Sequence, residues 1–212
     1  MEPIFLKNNS KIFFIPEVKI ISSKIYRDPS GLIYVIGEVM NNTQENLNIE
    51  IVSYLYKEGL VKGFGWSSTL IQILIPYQKS PFRIIFKPII EDIEYYSLKI
   101  KFSTTKQNPY RNFKIIEQGS YFDENGYFNV YGKLKNVGSI EADYIRIIGT
   151  FYQKDNSIVA FDSKILEPKK LKTNEEGHFK LIVPSKLLSN IISSYNLDFW
   201  TPTGLYLVSL KW

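Results

Sequence analysis

The sequence predicts an all-β protein of two tandem immunoglobulin-like β-sandwiches, and two observations predict it: composition and internal repetition. The 212 residues include 30 Ile, 15 Tyr and 14 Phe but only two Ala, Ala142 and Ala160. Large β-branched and aromatic side chains favour sheets, whereas Ala is the strongest helix former. This balance argues against a helical bundle and against a Rossmann-type α/β fold.

The repeat has an offset of about 95 residues, which aligns Gly37 with Gly132 and Asn41 with Asn136. In each copy a turn-forming tetrad (28–31 and 123–126) leads into a strong strand that carries these two residues. The elements that follow occur in the same order in both copies. They are a strand (49–56 and 144–152), a polar turn (57–59 and 154–156), an aromatic-ended segment (60–64 and 158–161), a strand near a proline (81–86 and 178–183) and a last strand (97–102 and 196–200).

Short strands with turn signals at close intervals are typical of β-sandwiches. The sequence therefore predicts an N-terminal extension strand over 1–16, a first sandwich over 17–102, a polar linker over 103–112, and a second sandwich over 113–212 with an extra C-terminal strand. Apolar residues at helical spacing predict short helical turns near 88–96 and 184–195. Trp66 and Trp200 are the expected core aromatics, since one large ring buries about 150–250 Å².

Three strings of the first copy, VIGEVMNN (35–42), SYLYKEGLVKGF (53–64) and IPYQKSPFRIIF (75–86), resemble the FxLYD-type domain family. The matching positions are Gly37, Val39, Asn41, Leu55, Tyr56, Gly59, Val61, Pro81 and Phe82 in the first copy, and Gly132, Leu134, Asn136, Phe151, Tyr152, Val159 and Phe179 in the second. Lys57 and Gln153 replace the motif's Asp, and Ser53 and Gly149 replace its leading Phe. The resemblance implies an immunoglobulin-like fold and a place outside the cytoplasm, and it brings no catalytic residues.

Two apolar segments lie outside the repeat, at 12–15 and 205–210, and both are typical of strands with free edges. Each segment either completes the sheet of its own domain or pairs with another molecule, as in donor-strand assembly. No run of about 18 apolar residues predicts a transmembrane helix. Polar residues at 7–11 interrupt the features of a signal peptide near the N-terminus.

Few residues of the types that most often carry out catalysis are present, because the chain has no Cys and one His. Disulfides, Cys-rich zinc sites, iron–sulfur clusters and Cys nucleophiles are excluded, and no cofactor or metal is expected. His178 follows Glu175 and Glu176, either of which could orient it as a general base. The pattern also suits an exposed histidine at a strand edge, which is the interpretation we favour.

Paired carboxylates could support glycoside hydrolysis without histidine. The candidates are Asp123 with Glu124, and the group Glu91, Asp92 and Glu94. The first pair lies in a predicted turn and the second group in a predicted first helical turn, where acidic residues are expected for backbone reasons. A structural role is therefore the preferred interpretation for both.

Aromatic side chains are abundant for two small cores, and alternation along a strand places Tyr54 with Tyr56, and Tyr127 with Tyr131, on one face. Such a face could bind carbohydrate, a peptide strand or single-stranded nucleic acid. The alternative is that these tyrosines fill the edges of the core and leave their hydroxyls in water.

The net charge of +5 is shared evenly along the chain. Its densest basic group is Lys164, Lys169, Lys170 and Lys172, which predicts either a solvated loop around Pro168 or a nucleic-acid contact. Sequons at Asn8 and Asn41 would suit glycosylation at a surface.

The sequence thus favours a non-enzymatic, extracytoplasmic or cell-surface module for binding, adhesion or structure, with a protein or glycan partner. A cytosolic nucleic-acid-binding or protein-binding module that uses the basic loop is the alternative. A carbohydrate-active enzyme is the weaker alternative.

Overall fold

A computed structural model describes residues 4–5, 10–12, 17–88, 92–183 and 185–203, and these residues are almost entirely β. The chain divides into two compact units, Met1–Lys106 and Gln107–Trp212. We call them unit 1 and unit 2. The division lies inside the segment 103–112, although its first three residues belong to a strand that continues to Thr105.

Unit 1 contains two four-stranded sheets. Its strands are β1 (Ile4–Phe5), β2 (Ser10–Ile12), β3 (Val18–Arg27), β4 (Ile33–Asn41), β5 (Asn46–Lys57), β6 (Leu60–Ser68), β7 (Lys79–Phe86) and β8 (Tyr95–Thr105). One sheet has the order β1-β3-β4-β7 and the other the order β2-β8-β5-β6. All pairings are antiparallel except that of β2 with β8. Both described pieces of the N-terminal extension therefore pair within their own unit.

The two sheets of unit 1 pack on a shared core. Alternate residues of β4 and β7, among them Val35 and Ile84, are fully or almost fully buried, as are Ile51 and Leu55 of β5 in the opposite sheet. A buried hydrogen bond of 2.8 Å joins the Ser23 hydroxyl of β3 to the Tyr96 hydroxyl of β8. Unit 1 is therefore a β-sandwich, as the alternating pattern predicts.

Unit 2 repeats this arrangement with two three-stranded sheets and a separate two-stranded sheet. The strands of unit 2 are β9 (Phe113–Phe122), β10 (Phe128–Asn136), β11 (Ala142–Asp143), β12 (Arg146–Tyr152), β13 (Ile158–Ile165), β14 (Lys170–Leu171), β15 (Glu176–Ile182) and β16 (Ser194–Trp200). The sheet β9-β10-β15 corresponds to β3-β4-β7, β13-β12-β16 corresponds to β6-β5-β8, and β11-β14 is the two-stranded sheet. Val130 and Leu181 from one sheet share a core cluster with Ile147 and Phe151 from the other. The repeat in sequence is thus a repeat in topology.

Asn41 and Asn136 anchor equivalent loops. The Asn41 amide donates hydrogen bonds to the carbonyl oxygens of Glu45 (2.8 Å) and Leu74 (3.0 Å). The Asn136 amide donates to those of Ile140 (2.8 Å) and Leu171 (2.9 Å). Both side chains are completely buried. These residues recur because each bonds one carbonyl of the loop that follows it and one carbonyl of a segment more than 30 residues further along the chain.

The helical turn predicted near 88–96 is wrong in its described part. Residues 92–94 have no regular structure, and strand β8 begins at Tyr95; residues 89–91 lie outside the described residues. The backbone N–H of Glu94 donates to the Tyr56 carbonyl oxygen (2.9 Å), which holds this segment in continuation of the sheet. The stretch 184–195 does contain a helix, α1 (Lys186–Ser189), and Ser185 caps it by accepting from the Leu188 N–H (3.2 Å).

Candidate functional site

An outward-facing group of aromatic residues covers one end of the sheet β2-β8-β5-β6. Tyr54 lies opposite Phe64 on β6, with ring centroids 5.2 Å apart. Tyr56 stacks on Tyr95 of β8, with centroids 4.6 Å apart and planes within 9°. Trp66 follows Phe64 by two residues and therefore points to the same side. We call Tyr54, Tyr56, Phe64, Trp66 and Tyr95 the aromatic face.

The aromatic face is open to solvent at its β6 end. Trp66 and Phe64 are each 58% exposed, and their neighbours Leu60 and Val61 on the same strand are also exposed. The three tyrosines of the face are half-buried. Grouped large apolar side chains at a surface are typical of binding sites. The predicted pair Tyr54 and Tyr56 is thus brought together and extended by three rings.

Trp66 is not a core residue, contrary to the sequence expectation. The neighbouring Gly65 faces the core, because a Cβ added there would lie 2.7 Å from Cγ2 of Ile84 in the opposite sheet. Ile84 and Phe86 thus occupy the core next to β6, and alternation turns Phe64 and Trp66 outward. The alternation of Gly63 and Gly65 with two large rings is the sequence signal that could have identified this face. Trp200, the other expected core ring, is half-buried on β16.

The equivalent face of unit 2 tests whether the fold requires these rings. Both units have a register shift at the same place in the hairpin, after Leu55 in β5 and after Phe151 in β12. This shared register equates the three rows of unit 1 with those of unit 2. The first row of unit 1 is Lys99, Val52 and Trp66, and it corresponds to Asp198, Ile148 and Ser163 in unit 2. The second row is Ser97, Tyr54 and Phe64, and it corresponds to Asn196, Thr150 and Phe161. The third row is Tyr95, Tyr56 and Val61, and it corresponds to Ser194, Tyr152 and Ile158.

Unit 2 builds the same hairpin with Phe161 and Tyr152 at the positions of Phe64 and Tyr56, but it has no ring at the other three positions of the aromatic face. Thr150 and Tyr152 are buried there. Ser163 replaces the exposed Trp66, and Thr150 replaces Tyr54. Cross-strand aromatic pairs stabilise a sheet by only about 0.2–1 kcal/mol each. Because unit 2 forms without rings at the positions of Tyr54, Trp66 and Tyr95, the fold does not require these three rings.

The second predicted tyrosine pair is not brought together in the same way. Tyr127 precedes β10, and the Lys186 ammonium of α1 lies 5.9 Å from its ring centroid. Tyr131 lies in β10 and contacts Tyr121 of β9, with centroids 6.0 Å apart. Tyr127 thus lies just before the strand that carries Tyr131, and the two rings have different neighbours.

The basic group does not form a continuous positive surface. Lys164 lies on β13, and Lys169 and Lys170 lie at β14. The Lys170 ammonium is 3.7 Å from the Glu141 carboxylate. The backbone N–H of Lys172 donates to the Glu175 carboxylate at 2.8 Å. All four lysines are exposed, and Glu141 and Glu175 lie beside them, the first in an ion pair with Lys170.

The residues considered for catalysis have structural surroundings. His178 is exposed in β15, and its backbone pairs with that of Glu167 through hydrogen bonds of 2.7 and 3.2 Å. Glu175, its proposed orienting group, instead accepts from Lys172, while Glu176 is exposed at the start of β15. These contacts assign His178 to the edge pairing of the sheet.

Two of the acidic residues considered for glycoside hydrolysis, Asp123 and Glu94, accept backbone hydrogen bonds in turns. Asp123 accepts backbone N–H groups of Asn125 (3.0 Å) and Tyr127 (2.9 Å), which lower the pKa of its carboxyl, Tyr127 most strongly. Glu124 is exposed in the same turn. Glu94 accepts the Glu58 N–H (3.0 Å) at the β5–β6 turn. Asp92 is exposed, and Glu91 lies outside the described residues.

The structure describes one of the two predicted glycosylation sites. Asn41 is completely buried, and both hydrogens of its amide are donated to loop carbonyls. It is therefore not an acceptor for a glycan in the folded chain, which corrects the prediction. Asn8 lies outside the described residues, as does the C-terminal segment 204–212.

Within the described ranges no three His, Asp or Glu side chains gather in a geometry that suits a metal ion. The described part of the chain also contains no helix with the length and hydropathy that crossing a bilayer requires.

No protein-family model matches the sequence, and no curated protein matches it. Three solved structures contain segments that resemble the chain. An exo-chitosanase of Amycolatopsis orientalis is 12% identical with a TM-score of 0.29, over 84% of this chain and 25% of that one. Red sea bream transglutaminase is 7% identical with a TM-score of 0.28, over 89% and 29%. A calcium-binding mutant of Bacteroides uniformis β-glucuronidase 2 is 12% identical with a TM-score of 0.27, over 96% and 28%. The chain thus spans less than a third of each of these proteins, and likeness of this extent assigns it no activity.

Proposed function

We propose that the protein is a non-enzymatic binding module of two immunoglobulin-like β-sandwiches that holds a partner on the aromatic face of unit 1. The single observation that carries this proposal is the exposure of Phe64 and Trp66 beside three half-buried tyrosines. Exposed aromatic rings with polar tips are typical of interfaces, because they give large contact area at small entropic cost.

The comparison of the two units supports this proposal. Unit 2 forms the equivalent hairpin with Ser163 where unit 1 has Trp66. An exposed tryptophan that the scaffold does not need costs solubility, so its presence favours a functional role. On this account, unit 1 supplies the binding surface.

A location outside the cytoplasm is part of the proposal and is supported by the resemblance to FxLYD-type domains. Fractionation of cells that naturally produce the protein tests it. We expect the protein in the envelope or extracellular fraction, and recovery with a cytosolic marker would contradict this part of the proposal.

The basic-loop alternative has less support. Glu141 and Glu175 approach two of its lysines, whereas nucleic-acid binding requires a concentration of positive charge. The enzymatic alternative also has less support, because Asp123 and Glu94 accept hydrogen bonds that close turns.

Binding arrays of neutral and acidic oligosaccharides and of short peptides test the proposed function with the full chain. We compare the wild type with Trp66→Ser, which copies unit 2, and with Phe122→Ser as a matched control at an aromatic that is 54% exposed in unit 2. Loss of a central aromatic contact lowers affinity by about tenfold or more. We expect this loss for Trp66→Ser and none for Phe122→Ser. If every retained ligand binds equally well to Trp66→Ser, the proposal is wrong.

A further inference from the structure

Lysine side chains border the aromatic face on the side away from β6. Lys11 of β2 places its ammonium 4.8 Å from the ring centroid of Tyr95. Lys99 and Lys101 are exposed on β8, next to the outward positions of β5. Along one row of the sheet, Val52 separates Lys99 from Trp66. A ligand that crosses the strands would therefore contact aromatic rings at β6 and ammonium groups at β8.

The lysine border carries a net positive charge of low density. Lys101 is 3.4 Å from the Glu50 carboxylate, which offsets its charge. Among the described residues no carboxylate lies within ion-pair distance of Lys99. Unit 2 has Asp198 at the position of Lys99, and its carboxylate pairs with Arg111 at 3.2 Å. The exposed ammonium group thus occurs in the unit that carries Trp66.

We propose that the ligand of the aromatic face is an acidic polysaccharide, a chain of pyranose rings that carries carboxylate groups. This inference rests on the proposed function. The C–H faces of pyranose rings are apolar and pack on Phe64 and Trp66, and the tyrosines offer hydroxyls for sugar hydroxyls. Lys99 and Lys11 attract the carboxylates. Each of the three kinds of group on this surface therefore has a counterpart in one ligand.

Charge density favours this ligand over single-stranded nucleic acid. A nucleic acid carries one phosphate per nucleotide, and the grooves that bind it are lined by many cationic groups. Here Glu50 lies within the lysine border, and Lys57 at the end of β5 is 3.9 Å from Glu94. A glycan with a carboxylate on every second sugar matches this sparse and interrupted charge better.

Isothermal titration calorimetry of the full chain tests the inference with three probes: hyaluronan oligosaccharides, neutral chitin oligosaccharides and oligo(dT). The variants are Trp66→Ser, Lys99→Asp, which copies Asp198 of unit 2, and Phe122→Ser as the control. Thermal unfolding verifies that each variant is folded. Lys99→Asp should weaken hyaluronan binding about fivefold, the scale of one exposed charge pair. It should leave binding of the neutral chitin oligosaccharide unchanged.

We expect hyaluronan to bind the wild type more tightly than the other two probes, Trp66→Ser to weaken this binding at least tenfold, and Phe122→Ser to leave it unchanged. Tighter binding of oligo(dT) or chitin oligosaccharide, lost in Trp66→Ser, would overturn the acidic glycan and leave the proposed function intact. Equal hyaluronan affinity for wild type and Lys99→Asp would also overturn it. If no probe, and no ligand of the arrays, depends on Trp66, both proposals fail.

Discussion

The ring of Phe82 covers Gly37 across the strand pair β4–β7, so closely that a Cβ on Gly37 would lie 2.5 Å from Cζ of the ring. Unit 2 repeats the relationship, because a Cβ on Gly132 would lie 2.7 Å from Cζ of Phe179. Both phenylalanines are buried. The glycine leaves the space that the aromatic ring of the neighbouring strand fills, which explains why the two residue types recur together in the repeat.

Replacing either glycine by alanine should destabilise its unit. In Gly37→Ala the new methyl group would also lie 2.8 Å from the backbone oxygen of Ser22, so movement of the ring alone cannot accommodate it. Overpacking of this kind costs about 1–3 kcal/mol. Urea unfolding measures the loss for Gly37→Ala and Gly132→Ala, with Ser103→Ala at an exposed site of β8 as the control. Unchanged midpoints in both glycine variants would contradict the packing described.

Replacing the buried asparagines Asn41 and Asn136 by alanine should also destabilise the units. Asn41→Ala would remove its hydrogen bonds to the carbonyls of Glu45 and Leu74 and the acceptor of the Thr43 N–H, at a cost of about 0.5–1.5 kcal/mol for each bond lost. The two carbonyls keep their bonds to the Thr43 hydroxyl and the Leu47 N–H. Asn136→Ala should behave in the same way in unit 2. The exposed Asn48→Ala is the control. If thermal unfolding does not distinguish Asn41→Ala from Asn48→Ala, the loop is held by other contacts.

Acid should weaken the two turns that begin with Asp28 and Asp123. A hydrogen bond from the Ser30 hydroxyl is the main cause that holds the pKa of Asp28 below the ordinary 3.8. A hydrogen bond from the backbone N–H of Tyr127 does the same for the pKa of Asp123. As the pH falls past 3.8, the unfolded chain binds these protons first, so stability is lost progressively through the lower pKa values of the folded state.

The double variant Asp28→Asn and Asp123→Asn tests this expectation, because Asn still accepts the turn hydrogen bonds without titrating. The variant should be less stable than the wild type at neutral pH, and the difference should shrink as the pH approaches about 2. Thermal unfolding across this range measures it. A difference that is constant with pH would show that the carboxylates do not couple to folding.

Alkaline pH should act on Tyr26. Burial raises the pKa of its hydroxyl to about 12, whereas the unfolded chain ionises near 10.0. The stabilising difference is complete below pH 10 and is lost as the pH rises through the folded value. Tyr26→Phe should therefore reduce the alkaline loss of stability, and tyrosinate absorbance should show one less late-titrating group. An identical alkaline unfolding curve for this variant would contradict the assignment.

The fold could be predicted from the sequence because the alternation of apolar and polar residues, the turn tetrads and the repeat are all patterns that the sequence itself displays. Gly37, Asn41 and their partners in unit 2 were identified as recurrent positions, and the structure supplies their roles. The spacing of apolar residues over 88–96 predicts a helical turn, but residues 92–94 have no regular structure and the pairing of Tyr95 with Tyr56, which local spacing does not reveal, begins a strand there.

Only part of the candidate site could be predicted from the sequence. Alternation places Tyr54 and Tyr56 on one side of β5, but the sequence does not state which side of β6 is buried. That choice depends on Ile84 and Phe86 of the opposite sheet, which occupy the space beside Gly65. Long-range packing of this kind turns Trp66 toward solvent, and its local signature in the sequence is the alternation of Gly63 and Gly65 with the two rings.

The emission of Trp66 gives the most direct test of the aromatic face. The chain has three tryptophans, so the double variant Trp200→Phe and Trp212→Phe leaves Trp66 as the only reporter. In the free protein we expect red-shifted emission that iodide quenches readily, because the side chain is 58% exposed. Saturation with hyaluronan oligosaccharides should shift the emission to the blue and protect it from iodide. Unchanged emission and quenching at saturation, with binding verified by calorimetry, would show that the ligand lies elsewhere and would contradict the account.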